Sequence, residues 1–231
     1  MHKLLAALTL AITPFIGSSQ AQNATVVELY TSQGCSSCPP ADAMLEDLAK
    51  RDDVIALALH VDYWDYIGWV DDLADPAYTA RQRAFARAKG SRTVYTPQMI
   101  FDGRDHVVGS RPMDVMDQIM AHAARPDDVN VTLSRHGNAL RIEAQRVGNF
   151  RGNAVVQIVR YTPKVMRDIH RGENAGRTIA YANVVTSWQN VGRWNTNQSL
   201  VMEAQLTGAD PVAVIIQDGT DGPILGAAQL R

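Results

Sequence analysis

The chain's two cysteines fall where an apolar, strand-like run gives way to a helical one, and that junction narrows the choice of folds. Ala24-Thr25-Val26-Val27-Glu28-Leu29-Tyr30 reads as a buried strand. Ala41 to Lys50 reads as a helix, with Ala41, Met44, Leu45 and Leu48 in one stripe and its acids on the other face. Between them stands Thr31-Ser32-Gln33-Gly34-Cys35-Ser36-Ser37-Cys38-Pro39-Pro40. The two thiols are thus placed at a helix N-terminus. Unpaired amides and the helix dipole there favour thiolate over thiol. This arrangement suits a dithiol/disulfide exchange centre.

The compartment follows from the first residues. Lys3 precedes an apolar stretch from Leu4 to Ile16, and Gly17-Ser18-Ser19-Gln20-Ala21 supplies small residues before a cut. The pattern predicts a signal peptide over 1–21, export, and a mature chain from about Gln22. The apolar stretch is too short to span a bilayer and Pro14 interrupts it, and no later segment is long enough, so no membrane insertion is expected after cleavage. With no cysteine near the cut, no lipid anchor is expected there. A periplasmic or secreted protein lives where a disulfide persists. A lone C-x-x-C is also only half of a structural zinc site, so redox chemistry leads. The 22 basic and 24 acidic residues give no basic surplus for nucleic acid, and 231 residues allow one large domain or two small ones.

Downstream, Val54 to Val61 forms a second apolar run. Strand, helix and strand over this length make a βαβ unit with parallel strands. Loops after parallel strands emerge on one edge, so His60 to Trp69 should lie beside the cysteines. Tyr63, Trp64, Tyr66 and Trp69 in that loop suit either a peptide-docking surface or a lid over the sheet's end. Asp75-Pro76 begins a helix over Ala77 to Lys89, whose basic face reads as solvated. A strand, Gln98 to Phe101, follows Pro97. Asp102-Gly103 turns it into Asp105 to Val108, and a helix runs from Pro112 to about His122.

From about Asp127 the pattern changes to short β-rich runs: Val129 to Leu133, Ala139 to Arg146, Ala154 to Tyr161, Thr178 to Val185, Ser199 to Leu206 and Val212 to Gln217. They suggest an antiparallel sandwich, or a sheet packed on the first half, joined by the linker Ala124 to Asp128. The turn-rich loop Arg171-Gly172-Glu173-Asn174-Ala175-Gly176-Arg177 reads as one that binds an anion or simply holds itself together.

The order of elements in the first half, with Cys35-Ser36-Ser37-Cys38 and Thr96-Pro97, resembles the thioredoxin fold. More closely, Glu28 to Asp42, His60 to Trp64, Tyr95 to Gln98 and Arg171 to Arg177 resemble an exported bacterial family of thioredoxin-like proteins that carries a domain-of-unknown-function label. The resemblance implies an α/β thioredoxin-like domain over 22–125, a central mixed sheet with flanking helices. A mostly antiparallel β domain over 126–231 would pack against it. It implies that Cys35 attacks and Cys38 resolves, and that Thr96 and a cis Pro97 face the disulfide and meet a bound peptide. Tyr63 and Trp64 would extend that surface. The function implied is thiol-disulfide exchange on protein thiols with an unidentified redox partner, using no cofactor but the disulfide.

Some of the pattern departs from thioredoxin: Gly34 precedes the first cysteine, serines lie between the two, and two prolines follow. The helix could begin near Cys35 or only at Pro39. Ser36 and Ser37 would donate hydrogen bonds to a thiolate. Glu28, one residue off the position of thioredoxin's buried acid, would relay protons after a register change or bulge, form an ion pair or lie exposed at an edge. His60 would complete a copper or zinc site with the cysteines or be a hydrogen-bonded structural residue. The alternative function is a binding protein on the same scaffold, holding copper or zinc or gripping a protein partner. Oligomeric state is not legible.

Overall fold

The computed structural model describes residues 24–231, and the expected signal segment 1–21 lies outside them. Strand β1 (Thr25–Thr31) leads through the cysteine turn to α1 (Pro39–Leu48) and back to β2 (Val54–His60), which pairs with β1 in parallel from Thr25↔Val54 to Thr31↔His60. After the loop that holds a short 3-10 turn, Asp65–Ile67, comes α2 (Pro76–Ala88). Asp75 caps it by accepting from Ala77 N, and proline at its start has no amide to leave unpaired. The hairpin β3 (Gln98–Phe101) and β4 (Asp105–Val108) precedes α3 (Pro112–Ala123). β3 runs antiparallel to β1, with Tyr30↔Gln98, so Pro97 lies at the sheet end where β1 and β2 finish.

Alternation along β1 and β2 sorts their side chains between two cores. Val27, Leu29, Val54, Ala56 and Ala58 face α1 and α3, packing with Leu45, Leu48, Val115 and Ile119. Val26, Tyr30, Ile55, Leu57 and Leu59 face the other way, with Tyr78 and Phe85 of α2. Both faces are covered, which is why these strands read as unbroken apolar runs.

The second half comprises β5 (Val129–His136), β6 (Ala139–Arg146), β7 (Asn153–Asp168), β8 (Thr178–Asn195), β9 (Leu200–Gln205), β10 (Val212–Asp218) and β11 (Ile224–Leu230). β5, β6 and β9 form a separate three-stranded antiparallel sheet. The other four join the first half edge to edge, giving one mixed sheet of order β11-β10-β7-β8-β2-β1-β3-β4. The expected division near 125 therefore separates stretches of sequence but not sheets. The seam is narrow: Ala58↔Val184 is the one β2–β8 pairing, reinforced by Asn183 Nδ2 donating to Ala56 O at 2.9 Å.

On β10, Val212, Val214 and Ile216 meet the small sheet, while Ala213 and Ile215 enter the core shared with α2. A side chain at Gly226 of β11 would strike the Val129 carbonyl, so only glycine lets β5 approach there. β7 and β8 outrun their expected lengths and carry their connection, residues 169–177, to the cysteine end of the molecule. Among the described residues no helix is long and apolar enough to cross a membrane.

Candidate functional site

Cys35 and Cys38 form a disulfide in the turn between β1 and α1. Helix α1 begins at Pro39 and Cys38 is its N-cap, so Cys35 lies outside the helix. Positions 39 and 40 are prolines without N–H groups, and the amides of Ala41 and Asp42 bond to Cys38 O at 2.8 and 3.1 Å. The unpaired helix-start amides expected to favour a thiolate are therefore taken or missing. What remains beside the sulfur is a hydroxyl: Cys35 Sγ lies 3.5 Å from Ser37 Oγ. Ser36 and Ser37 are exposed while both cysteines are wholly buried, at 0% exposure.

The loop after β2 does reach this edge. Trp64 spans from the cysteine turn to the proline loop: its Nε1 donates to Thr96 Oγ1 at 2.7 Å, and a side chain at Gly34 would come within 3.1 Å of Trp64 Cβ. The Thr96–Pro97 peptide is cis. Pro97 O accepts from Gly109 N at 3.0 Å. Tyr66, 82% exposed, stacks on Trp64. Tyr63 donates its hydroxyl to Gln82 of α2 at 3.1 Å, and its ring packs, like that of Trp64, against the α2-side core.

Glu28 is not at the site. Alternation along β1 turns it to the α2 face, where Arg81 grips both carboxylate oxygens at 2.7 Å and Tyr30 donates to it at 2.8 Å. Of the roles open to it, the ion pair is the one found. His60 is brought to the edge and is buried, with Nδ1 2.8 Å from Asp71 Oδ2. Asp71 also accepts from Gln33 N at 2.8 Å and Leu73 N at 2.9 Å. Burial alone would raise the Asp71 pKa, but His60 and these amides outweigh it and hold the carboxyl below its ordinary value. Among the described residues no cluster of three His, Cys, Asp or Glu side chains is arranged to hold a metal ion.

The acid behind the cysteines is Asp42, one helical turn past Cys38. The amphipathic stripe predicts it on the outer face of α1; instead it is 2% exposed and turned inward. Thr31 Oγ1 donates to its Oδ1 at 2.8 Å. Desolvation raises its pKa to about 7, against the opposing pull of His60 and Thr31. Asp42 Oδ2, His60 Nε2 and Tyr181 Oη are all buried without a protein partner, and the Tyr181 ring stands edge-on to His60 at 4.7 Å. The signal that could have found Asp42 is its spacing of four from Cys38, which puts both on one helix face.

Three further residues at the site are not singled out by the sequence. Trp69 Nε1 donates to Gln33 Oε1 at 2.7 Å, and Gln33 Nε2 to Asp72 at 2.8 Å. Asn174 Nδ2 donates to the carbonyls of Gln33 and Cys35, each at 2.9 Å. Trp69 is visible only as part of an aromatic loop; nothing local distinguishes Asn174 from its polar neighbours.

The model of a protein family of unknown function, DUF1223, matches residues 26–217. The crystal structure of a protein from Agrobacterium tumefaciens, a structural genomics target, is similar at 34% identity and a TM-score of 0.77. The match covers 91% of this chain and 96% of that one. An endonuclease/exonuclease/phosphatase structure from Beutenbergia cavernae aligns at a TM-score of only 0.20 and 15% identity, over 45% of this chain and 23% of that one. At that score it carries no argument. No curated protein matches. By the span of the family match and by its likeness to the Agrobacterium protein, the chain belongs to the DUF1223 family.

Proposed function

We propose that this chain is an exported thiol-disulfide oxidoreductase working on protein cysteines through Cys35 and Cys38, on a thioredoxin-like scaffold. One observation carries the reading. The only disulfide among the described residues closes the strand-to-helix turn at the same sheet end as the cis Thr96–Pro97 peptide, and Trp64 links the two. The β1-α1-β2 unit with antiparallel β3 and β4 supports the scaffold. A C-x-x-C disulfide encloses so short a loop that its entropic benefit to the fold is small, which argues against a purely structural role. Export rests on the leader-like residues before Gln22.

In the exchange, a substrate thiolate attacks Cys35 Sγ, the S–S bond breaks, and Cys38 leaves as thiolate. Asp42, one helical turn past Cys38 and with its pKa raised by burial to about 7, would be the proton source for that thiolate. A second substrate thiol attacks the mixed disulfide, forms the substrate's own disulfide and releases Cys35. Two electrons pass from substrate to protein, and the reverse sequence reduces a substrate. No cofactor enters.

Redox titration of the purified protein against glutathione, read by thiol alkylation, together with insulin reduction, tests this. Equilibration with glutathione and a Cys38→Ser variant that accumulates mixed disulfide are expected. Failure to exchange at any glutathione ratio sinks the reading. Stoichiometric copper or zinc on the reduced, exchange-inactive protein would put a binding role in its place.

A further inference from the structure

Both sulfurs are wholly buried although the two serines between them are exposed, so something other than the turn itself closes the site. The connection from β7 to β8 lies against it. From His170 to Thr178 this segment is exposed at every residue but one. That one is Asn174, 1% exposed, whose Nδ2 holds the carbonyls on either side of Gly34. Its Oδ1 accepts from Arg177 Nη1 at 3.0 Å. The segment closes on itself at its base, with Ile169 N donating to Arg177 O at 2.9 Å and Gly176 N to Ile169 O at 2.7 Å. Ile169 is buried beside Ile179 and Tyr181, so the base is fixed in the core.

Above the base, a side chain at Gly172 would meet Trp69 and Ile67, and Ile67 also reaches the space beside Gly34. Gly172 and Gly176 adopt positive φ, +76° and +82°. The segment is therefore a strap with a fixed base, two glycine bends and a single buried polar anchor. That anchor is fastened to the carbonyl of Cys35.

We infer that Asn174 is a positioning residue for exchange at Cys35. Its amide fixes the Cys35 peptide and pins the strap of residues 170–176 shut, and a partner thiol reaches the sulfur when that anchor lets go. The inference rests on the redox reading of the same disulfide. Attack on a disulfide needs a thiolate in line with the S–S bond, and a buried sulfur offers no such approach. Two hydrogen bonds at one anchor are a weak enough hold for local opening to release them without unfolding the sheet. The β-rich half thereby acquires a role: it sets access to a disulfide that belongs wholly to the first half.

The test is the rate at which dithiothreitol reduces the oxidised full-length protein, followed by alkylation and mass. One dithiothreitol thiolate attacks Cys35, Cys38 leaves, and the second closes the oxidised dithiothreitol ring, passing two electrons to the protein. Asn174→Ala is expected to speed reduction at least fivefold. Asn174→Asp, equal in size but unable to donate, should do the same, and Arg177→Ala should give a smaller rise. A change of less than fivefold in both Asn174 variants overturns the inference. So does a rate in the variants that climbs with sub-denaturing urea as steeply as global unfolding, because the sulfur would then be reached only by unfolding. If both proteins are reduced by dithiothreitol but neither exchanges with glutathione or insulin, the redox reading fails while the anchoring result stands on its own.

Discussion

Two buried carboxylates stand on opposite faces of the same few strands, and they are treated in opposite ways. On the α2 face, Glu28 is closed off. Arg81 takes both oxygens, Tyr30 adds a third hydrogen bond, and the guanidinium lies 3.8 Å over the Trp188 ring. Gln217 Oε1, at 3.4 Å, completes the set from β10. On the α1 face, Asp42 has one donor for two oxygens, and His60 and Tyr181 each keep an unpartnered polar atom nearby. Buried polar groups are nearly always satisfied, and an exception calls for a reason. A complete network is a structural device that ties α2 to β1 and β10. An incomplete one, one helical turn from a disulfide, leaves buried polar atoms of three side chains without a protein partner.

The largest expected effect tests the closed side. Glu28→Gln keeps the shape and an acceptor for Tyr30 but leaves Arg81 buried without a counter-charge. Breaking a buried pair by removing one partner costs about 3–5 kcal/mol. Urea unfolding should show a loss of roughly that size. The double variant Glu28→Gln with Arg81→Met should recover part of it, since the orphaned charge is gone. Dithiothreitol reduction of Cys35–Cys38 in the folded variant should be unchanged. A changed rate would join the two faces and undo the contrast.

The open side predicts a pH dependence. Burial raises the Asp42 pKa from its ordinary value to about 7, so the folded state holds that proton more tightly than the unfolded chain. Between about pH 4 and pH 7 the native state is protonated there while the unfolded state is not. Stability from this group is therefore fully present below pH 4 and is lost as pH rises towards 7. Asp42→Asn has no proton to lose and still accepts from Thr31. Its stability should match wild type near pH 4 and exceed it by roughly 2–4 kcal/mol at pH 8, since a tenfold difference in proton affinity between folded and unfolded states is worth about 1.4 kcal/mol. Asp127, also raised by burial, to about 6, is present in both proteins and cancels in the difference. Parallel stability profiles for the two proteins would mean that Asp42 is satisfied after all.

Local pattern is enough for the β1-α1-β2 unit, for the β3–β4 hairpin and for the loop after β2 reaching the cysteine edge. In these places hydrophobic period, turn residues and chain order agree. It fails where distant chain meets. Ser187 to Asn195 looks like polar loop, yet it is strand because β7 supplies a partner along its length. β11 is hard to see because Gly226 and two alanines dilute its apolar signal, although Gly226 is what admits β5. The strand-to-strand seam between the halves is a single pairing and one asparagine, which no periodicity encodes. At the site, the cysteines, Trp64, Thr96 and Pro97 are readable by type. Asp42 is hidden by an amphipathic stripe drawn one residue too narrow. Glu28 reaches the disulfide only in a shifted register, and the plain parity of β1 sends it to the other face.

The smallest effect concerns the tie across the site. Trp64→Phe keeps the ring's packing beside Gly34 and removes the 2.7 Å bond to Thr96 Oγ1. A single neutral hydrogen bond of this kind contributes about 1 kcal/mol. Unfolding should register a loss near that figure, well below that of Glu28→Gln. The discriminating readout is exchange. If Trp64 merely packs over the sheet end, reaction with glutathione should follow wild type once the folded fraction is matched. If it holds the Thr96–Pro97 loop in register with the disulfide, exchange with a protein substrate such as insulin should fall several-fold while reduction by dithiothreitol, which needs no peptide surface, stays the same. That split would place substrate recognition at the disulfide end of the sheet and leave the Glu28–Arg81 network to structure alone.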